Sequence, residues 1–278
     1  MESVAAGWAG TGPVHIIRSA QRGTRGRGWL ASTSVVSLGF LRRMAQCATV
    51  RTPKFIVSRG TQRVHPEILK INASEPEPSL VSYAAGHIRR GLVVGMPTDT
   101  FYGLAADPFN LQAVDRIYEV KARNRHKPLS LLIESVEQAE YLAKPLPDEF
   151  HLLAEKFWPG PLTIVVPASP RLPLKVTANT GNIAVRIPAA EIPVAVIRAA
   201  GVPLTATSAN LHGQPECTDA GAVKLQFEDR LPIIVDGGPC RYSTLSTIVS
   251  LSDSGRRWRL MREGAIPLQQ IEEILGDQ

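Results

Sequence analysis

Short apolar runs alternate with helical segments between residues 80 and 275, and this alternation constrains the fold more than any other feature. Leu92–Met96 and Leu129–Ile133 have the length of buried strands, whereas the apolar residues of Leu111–Val120 recur at helical spacing. Further strands are predicted at Leu162–Val166, Ile183–Ile187, Leu204–Thr207, Ile233–Val235, Thr247–Leu251 and Trp258–Met261. Further helices are predicted at Leu80–Arg90, Ser135–Ala143, Asp148–Trp158, Ala190–Ala200, Thr218–Phe227 and Pro267–Leu275. Because some neighbouring strands have no helix between them, we expect an α/β domain with a twisted, mixed parallel/antiparallel sheet flanked by helices.

Positive charge is concentrated at the amino-terminal end of the chain. Residues 1–60 hold nine Lys and Arg and one acid, a net charge of +8, whereas the remainder holds 22 basic and 24 acidic residues, a net charge of −2. This segment is also rich in Ser, Thr, Gly and Ala, which is typical of an organellar transit peptide; a disordered basic arm is the alternative. We therefore expect delivery to a mitochondrion or plastid, with a cytoplasmic form if translation starts at Met44, and one folded domain at residues 65–278.

Several common site types have no signature in the chain. The three cysteines, Cys47, Cys217 and Cys240, form no close pair, which argues against a disulfide framework and a cysteine-rich zinc site. No apolar run approaches the roughly 18 residues of a membrane span. The sequence also lacks the P-loop, dinucleotide-binding, H-E-x-x-H and G-x-S-x-G motifs. If the protein handles phosphates, its side chains must hold them.

Polar residues follow the predicted strand Leu92–Met96. Thr98, Asp99 and Thr100 come directly after it, and ligands of α/β sheets bind beyond the carboxyl ends of strands. These two hydroxyls and the carboxylate could hold a small polar ligand. A turn stabilised by bonds from the Asp and Thr side chains to the backbone is an equal alternative.

Four cations, Lys121, Arg123, Arg125 and Lys127, fall within seven positions. Pro128 favours extended backbone at the preceding residue, so we expect the helix to end near Val120 and the four cations to form one row in extended chain. Such a row repels itself unless an anion neutralises it, and Arg and Lys both suit phosphate. A solvated loop is the alternative. A nucleic-acid stripe is weaker because no aromatic residue lies between the cations.

Other polar residues occur at or within predicted strands. Ser208 and Asn210 end one strand with neutral groups that suit ribose, phosphate oxygens or an amino-acid backbone, although a plain Ser/Asn loop is favoured on this stretch alone. Arg186 lies within an apolar strand and needs either an internal acid or an anionic ligand. Arg262, at the end of the last strand, raises the same question, and Ser246 opens the strand before it.

Together these stretches resemble the Sua5/YrdC/YciO family. The matching segments, in family order, are PTDTFYGL (97–104), KARNRHKPL (121–129), WPGPLT (158–163), AVRIP (184–188), TSAN (207–210), VDGG (235–238), STI (246–248) and RLMREG (259–264). Phe101 and Glu263 depart from the residues common in the family, and an acid beside Arg262 could weaken its hold on phosphate or simply face solvent. The resemblance implies the YrdC/RibB-like fold and the single-domain YrdC type.

The resemblance also implies an activity, L-threonylcarbamoyladenylate synthesis. In this reaction L-threonine, bicarbonate and ATP, with Mg²⁺, give threonylcarbamoyl-AMP and pyrophosphate, and the product is passed to a tRNA threonylcarbamoyl transferase. The family's catalytic tetrad falls on Lys121, Arg123, Ser208 and Asn210. Its nucleotide contacts fall on Arg123, Lys127, Ser208 and Arg262, and its threonine contacts on Thr100, Arg186 and Ser246. The metal ligands stay open, with Asp99 a weak candidate.

Two rivals remain. The cationic residues and the Arg-rich leader favour a module that binds tRNA or double-stranded RNA without catalysis, although the net charge of −2 beyond residue 60 opposes it. A sugar-phosphate lyase such as dihydroxybutanone-phosphate synthase would need a cluster of acids for metal and base chemistry, and none occurs near residues 97–104 or 121–127.

Overall fold

The computed structural model describes residues 65–242, 244–252 and 257–277. The predicted transit peptide at residues 1–60 and the alternative start at Met44 lie outside the described residues. In the part that is described, no helix is both long and apolar enough to cross a membrane.

Strands and helices interleave along the chain as the sequence predicts, and most predicted ends differ from the observed ones by one or two residues. The strands are β1 (Glu67–Lys70), β2 (Val94–Met96), β3 (Gly103–Ala105), β4 (Ser130–Leu132), β5 (Leu162–Pro167), β6 (Asn182–Arg186), β7 (Leu204–Thr205), β8 (Thr207–Ser208), β9 (Ile233–Asp236), β10 (Thr247–Ser250) and β11 (Arg259–Arg262). The helices are α1 (Pro78–Arg89), α2 (Leu111–Lys121), α3 (Val136–Leu142), α4 (Asp148–Phe157), α5 (Leu174–Thr177), α6 (Glu191–Ala200), α7 (Ala220–Phe227) and α8 (Leu268–Leu275).

The strands form two mixed sheets, where the sequence led us to expect one. The first sheet has the order β1-β9-β2-β3-β8. Strands β1, β9 and β2 are parallel, and β3 pairs antiparallel with both β2 and β8. The second has the order β11-β10-β5-β6-β4-β7, with parallel pairs β10/β5 and β6/β4 and antiparallel pairs elsewhere. The predicted α/β class with mixed strand directions is thus confirmed.

The predicted strand Leu204–Thr207 is wrong as a single element, because the chain passes from one sheet to the other at Ala206. β7 pairs with β4 in the second sheet, and β8 pairs with β3 in the first. The buried hydroxyl of Thr205 donates to the carbonyl of Leu104 at 3.2 Å and accepts from the N–H of Ala106 at 2.9 Å. This crossing joins the two sheets directly beside Ser208.

The helices bury their apolar faces against the sheets. α1 and α6 pack on each other, and their buried Val81, Ile88 and Val196 belong to one core cluster with Val94 and Met96 of the first sheet. A larger cluster joins α2, α3 and α4 to the second sheet. β1 was missed because it is an edge strand with a single buried residue, Leu69.

Candidate active site

A cavity of about 400 Å³ opens between the two sheets. The first sheet and the turn after β2 supply one wall, and strands β4, β5, β6, β10 and β11 supply the other. The Ser, Thr, Glu, Lys and Arg side chains that line it come from stretches far apart in the sequence: Thr98, Thr100, Arg123, Lys127, Ser130, Thr163, Arg186, Thr207, Ser208, Glu216, Ser246 and Arg262. The volume suits a small-molecule ligand.

Arg186 lies at the end of β6 and is 6% exposed. Its Nη2 donates to Asp99 Oδ1 at 2.5 Å, its Nη1 to Thr100 Oγ1 at 3.0 Å, and its Nε to the carbonyl of Gly160 at 2.8 Å. Of the two partners that the sequence left open, an internal acid is therefore present. Burial lowers the pKa of Arg186, and the charge of Asp99 opposes that shift. Because a guanidinium has five N–H donors, two remain for a ligand.

The carboxylate of Asp99 lies in the protein interior, where it pairs with Arg186. Its side chain is completely buried, and its Oδ2 has no hydrogen-bond partner within the described residues. The structure does not support Asp99 as a metal ligand, because its charge neutralises Arg186 instead. No group of three or more His, Cys, Asp or Glu side chains within the described ranges could hold a metal ion.

The turn after β2 has both features that its sequence left open: side-chain bonds that close a turn, and a hydroxyl that faces a cavity. Thr98 Oγ1 accepts from the N–H groups of Thr100 and Phe101 and donates to the carbonyl of Phe101, so this residue closes a turn. Thr100, which is 5% exposed, accepts from Arg186 and lines the cavity. The turn thus positions a hydroxyl beside the guanidinium.

Lys121 is the last residue of helix α2, which agrees with the expected end near Val120, and its side chain is buried, with the residue 4% exposed. Asn110 caps the start of the helix, where its side chain accepts from the N–H groups of Gln112 and Ala113, and Ala122 follows the last helical residue with a φ of +50°. The helical turn directs the Lys121 ammonium inward, and burial first and Arg123 second lower its pKa to about 8.

The Lys121 ammonium holds the stretch that carries Ser208 and Asn210. It donates to the carbonyl of Ser208, to the carbonyl of Asn210 at 2.8 Å and to Asn210 Oδ1 at 3.0 Å. Ser208 Oγ in turn donates to Asn210 Oδ1 at 2.6 Å. Lys121, Arg123, Ser208 and Asn210 line a polar annex of about 300 Å³, and Arg123 and Ser208 also line the main cavity.

The four cations do not form one row, and that prediction is wrong. After α2 the chain turns, with Lys127 N–H bonded to the carbonyl of Asn124, instead of running extended. Arg125 points away to Asp115 of α2, with Nη1–Oδ1 at 2.5 Å. Of the four cations, only Arg123 and Lys127 line the main cavity. The helical acid that captures Arg125 lies ten residues earlier, so the local sequence gave no sign of it.

Arg123 and Lys127 hold fewer internal contacts than Arg186. Arg123 donates to the carbonyl of Pro128 at 3.0 Å, while its buried Nε has no partner in the described structure. Burial lowers the pKa of Arg123. Lys127 is exposed at the mouth of the cavity. These two side chains offer positive charge that the described protein does not neutralise.

Arg262 and Ser246 close the other side of the cavity. Arg262 Nη2 donates to the carbonyl of Ser246 at 2.8 Å and to its Oγ at 3.1 Å, and Ser246 Oγ lies 3.0 Å from Thr163 Oγ1. Gly264 packs against the backbone of Ser246 so closely that a Cβ there would collide with it. Glu263 accepts from the N–H of Leu268 at 2.8 Å, so it starts helix α8 instead of opposing Arg262.

Sequence reasoning missed three contributors to the cavity. Thr163 follows the W-P-G-P run and contacts Ser246, Gly160 of the same run fixes Arg186 through its carbonyl, and Glu216 supplies a carboxylate. The W-P-G-P-L-T segment carried a signal through its resemblance to the family. Glu216 had none, because an acid in a polar loop is indistinguishable from a solvated one.

Comparisons with known proteins identify relatives of this chain. The family model Sua5_yciO_yrdC, described as "Telomere recombination", matches residues 87–264. The threonylcarbamoyl-AMP synthase of Pyrococcus abyssi is 42% identical over 71% of this chain and 57% of that protein. The one of Bacillus subtilis is 38% identical over 74% and 59%. The one of Chromobacterium violaceum is 34% identical over 65% and 93%.

Two solved structures show the same fold. A crystal structure of P. abyssi Sua5 complexed with L-threonine has a TM-score of 0.72 and 40% identity, and the match covers 75% of this chain and 61% of that one. Escherichia coli YciO has a TM-score of 0.68 at 22% identity, over 74% and 99%. The chain thus spans less than two thirds of the P. abyssi and B. subtilis proteins. The extent of the family match and these relatives show that the chain belongs to the Sua5/YciO/YrdC family.

Proposed function

We propose that this chain is an L-threonylcarbamoyladenylate synthase, which condenses L-threonine, bicarbonate and ATP to threonylcarbamoyl-AMP and pyrophosphate. One observation carries the proposal: hydroxyls and cations from distant stretches line a single cavity of about 400 Å³. Relatives named threonylcarbamoyl-AMP synthase support it. They do not favour the alternative of an RNA-binding module without catalysis.

The reaction needs no nucleophile from the protein. The ammonium form of threonine and bicarbonate give a carbamate, water and one proton. A carbamate oxygen then attacks the α-phosphorus of ATP, and the bond to the bridging oxygen breaks with its electron pair leaving on pyrophosphate. The protein's contribution is therefore to position the reactants and to neutralise the developing phosphate charge.

The two ends of the cavity suit the two substrates. At the threonine end (Thr100, Arg186 and Ser246) the remaining N–H donors of Arg186 would bind the threonine carboxylate, and the two hydroxyls would bind the rest of the amino acid. At the nucleotide end (Arg123, Lys127, Ser208 and Arg262) three cations and a hydroxyl would bind ATP. Lys121 and Asn210 would support Ser208 from behind.

Mg²⁺ would enter with ATP. The described residues provide no cluster of metal ligands, which fits an ion that phosphate oxygens and water hold for the most part. When bound, the ion would neutralise phosphate charge. The Arg and Lys side chains of the nucleotide end would bind and orient the phosphates both with and without the bound ion.

The product would be passed to a tRNA threonylcarbamoyl transferase. Threonylcarbamoyl-AMP is a mixed anhydride, so its carbamoyl carbon is activated for attack by an amine of an RNA base. Direct contact with tRNA or double-stranded RNA stays a secondary proposal. A salt titration of tRNA binding would test it, because phosphate contacts weaken steeply with salt.

Release of pyrophosphate tests the proposed function. We expect the purified full chain to release pyrophosphate from ATP only when L-threonine and bicarbonate are both present, and to form threonylcarbamoyl-AMP in equal amount. Pyrophosphate release that is independent of threonine, or the absence of the adenylate by mass spectrometry, would overturn the proposal.

Residues 1–60 would direct the protein to a mitochondrion or plastid. A fluorescent protein fused after residue 60 should enter one of these organelles, and a fusion that starts at Met44 should stay in the cytoplasm. A diffuse signal from the full leader would contradict the targeting role.

A further inference from the structure

Glu216 is the one acidic side chain among the described residues that line the main cavity. It is half-buried, and its backbone is held on both sides. The carbonyl of Pro215 accepts from Gln226 Nε2 at 2.9 Å, and the carbonyl of Cys217 accepts from the N–H of Tyr102 at 2.9 Å. The backbone on both sides of Glu216 is therefore held in place at the wall of the cavity.

The Glu216 carboxylate lies near Arg262 of the nucleotide end and near Lys121, but it forms no ion pair with either. Its negative charge raises the pKa of Arg262 and of Lys121, against the larger effect of burial. Yet none of the hydrogen bonds or ion pairs formed within the described residues involves it. A carboxylate at the wall of a cavity that has no partner among the described residues can accept at least two hydrogen bonds from a ligand.

We propose that Glu216 accepts hydrogen bonds from the ribose hydroxyls of ATP and thereby selects ribonucleotides over deoxyribonucleotides. This inference rests on the proposed function and assigns a specificity-determining residue to its nucleotide end. A ribose diol presents two neutral O–H donors to the two oxygens of one carboxylate. An acid can hold ribose in this way in other nucleotide sites as well.

The other parts of ATP suit a carboxylate less well. The phosphates carry the same sign of charge and would be repelled. The amino group of adenine is flanked by two ring nitrogens that are acceptors, so a carboxylate facing that edge would meet their lone pairs. A divalent ion is disfavoured by the two nearby cations and by the lack of any cluster of metal ligands in the described ranges.

Calorimetric titration of the full chain with ATP, 2′-deoxyATP and 3′-deoxyATP tests the inference. We expect the wild-type protein to bind ATP about tenfold more tightly than either deoxynucleotide, since a hydrogen bond to a charged group contributes on that order. Glu216→Ala should bind all three within about twofold, and Glu216→Gln should fall between. Glu155→Gln removes an exposed acid from helix α4 and should behave as the wild type.

Each alternative outcome is distinguishable. Equal binding of the three nucleotides by the wild-type protein would overturn the inference and leave the proposed function standing. The inference would also be overturned if Glu216→Ala still bound ATP more tightly than the two deoxynucleotides. The same holds if the only change in Glu216→Ala were that its ATP binding no longer depended on Mg²⁺. Failure of the wild-type protein to bind ATP with threonine present would instead refute the proposed function. If Glu216→Ala does not fold, Glu216→Gln and a thermal melt provide the same comparison.

Discussion

The threonine end and the nucleotide end of the cavity both contain arginine, but they hold it differently. At the threonine end Arg186 is 6% exposed, and Asp99, Thr100 and Gly160 fix all three of its nitrogens. At the nucleotide end Arg123 has one bond to a carbonyl, Lys127 is exposed, and Arg262 is bonded to Ser246 but forms no ion pair within the described residues. A prearranged, neutralised guanidinium suits a small ligand of fixed shape, whereas unneutralised cations on a loop suit a longer and more highly charged one.

The largest expected effect comes from Arg186→Ala. Loss of the guanidinium leaves the buried Asp99 carboxylate without its partner, so the free energy of unfolding should fall by about 3–5 kcal/mol. The threonine requirement should rise sharply while ATP binding persists. Denaturant unfolding and separate titrations with the two substrates measure these effects.

The double variant Asp99→Asn/Arg186→Ala separates stability from binding. Without a buried charge it should recover much of the lost stability, yet it should still bind threonine poorly. Equal loss of threonine and ATP binding in the stable double variant would contradict the division into two ends.

Arg123→Ala should have the next largest effect, on catalysis. We expect a loss of about 2–4 kcal/mol of transition-state stabilisation, because the guanidinium faces the cavity with donors that no described residue uses. Arg125→Ala is the matched control, since Arg125 pairs with Asp115 on the outer face of α2. Pyrophosphate release measures both; near-normal activity of Arg123→Ala, or an equal loss in Arg125→Ala, would count against the assignment.

The pH dependence of nucleotide binding should follow Lys121. Burial lowers its pKa to about 8 from an ordinary value of 10.5, so the positive charge behind Ser208 is lost as the pH rises through 8. ATP affinity should fall over that range. Because the unfolded chain binds more protons than the folded one between about pH 8 and 10.5, this residue makes stability rise over that window.

Lys121→Arg provides the control for this pH dependence. A guanidinium is not deprotonated in this range, so ATP affinity in the variant should stay level from pH 7 to 9. Calorimetric titrations at several pH values measure it. The same decline in both proteins would assign the pH dependence to another group.

The smallest effect is expected from Ser246→Ala at the threonine end. Its hydroxyl contacts Thr163 and Arg262, so its loss should raise the KM for threonine by the equivalent of about 0.5–1.5 kcal/mol. Ser250→Ala, which removes a buried hydroxyl bonded to Ser252 at the other end of β10, should leave that KM unchanged. A larger shift in the KM for ATP than in the KM for threonine would contradict the assignment of Ser246 to the threonine end.

Local patterns predicted all the helices of the described residues except the short α5, and most of the strands, because apolar periodicity and caps are properties of nearby residues. The predicted helix Ser135–Ala143 is an example, since Ser135 Oγ caps α3 by accepting from the N–H of Gln138. The division into two sheets was not predictable, since a short apolar run such as Leu204–Thr207 does not reveal which strands it will pair with.

The site shows the same limit. An arginine within an apolar strand indicated that Arg186 needs a partner, but only the fold shows that the partner is Asp99, 87 residues away in sequence. The local charge pattern could not distinguish Arg123 from Arg125, because their difference lies in the orientation of the chain after α2; only the family resemblance selected Arg123. The roles of the individual residues in binding threonine and ATP stay predictions.

Simultaneous binding of the two substrates tests the central claim most directly. Calorimetry with ATP, with L-threonine, and with each in the presence of the other should show one site for each ligand and the same coupling free energy in both directions. If threonine and ATP displace each other, they share one position, and the account of a cavity with two distinct ends is wrong.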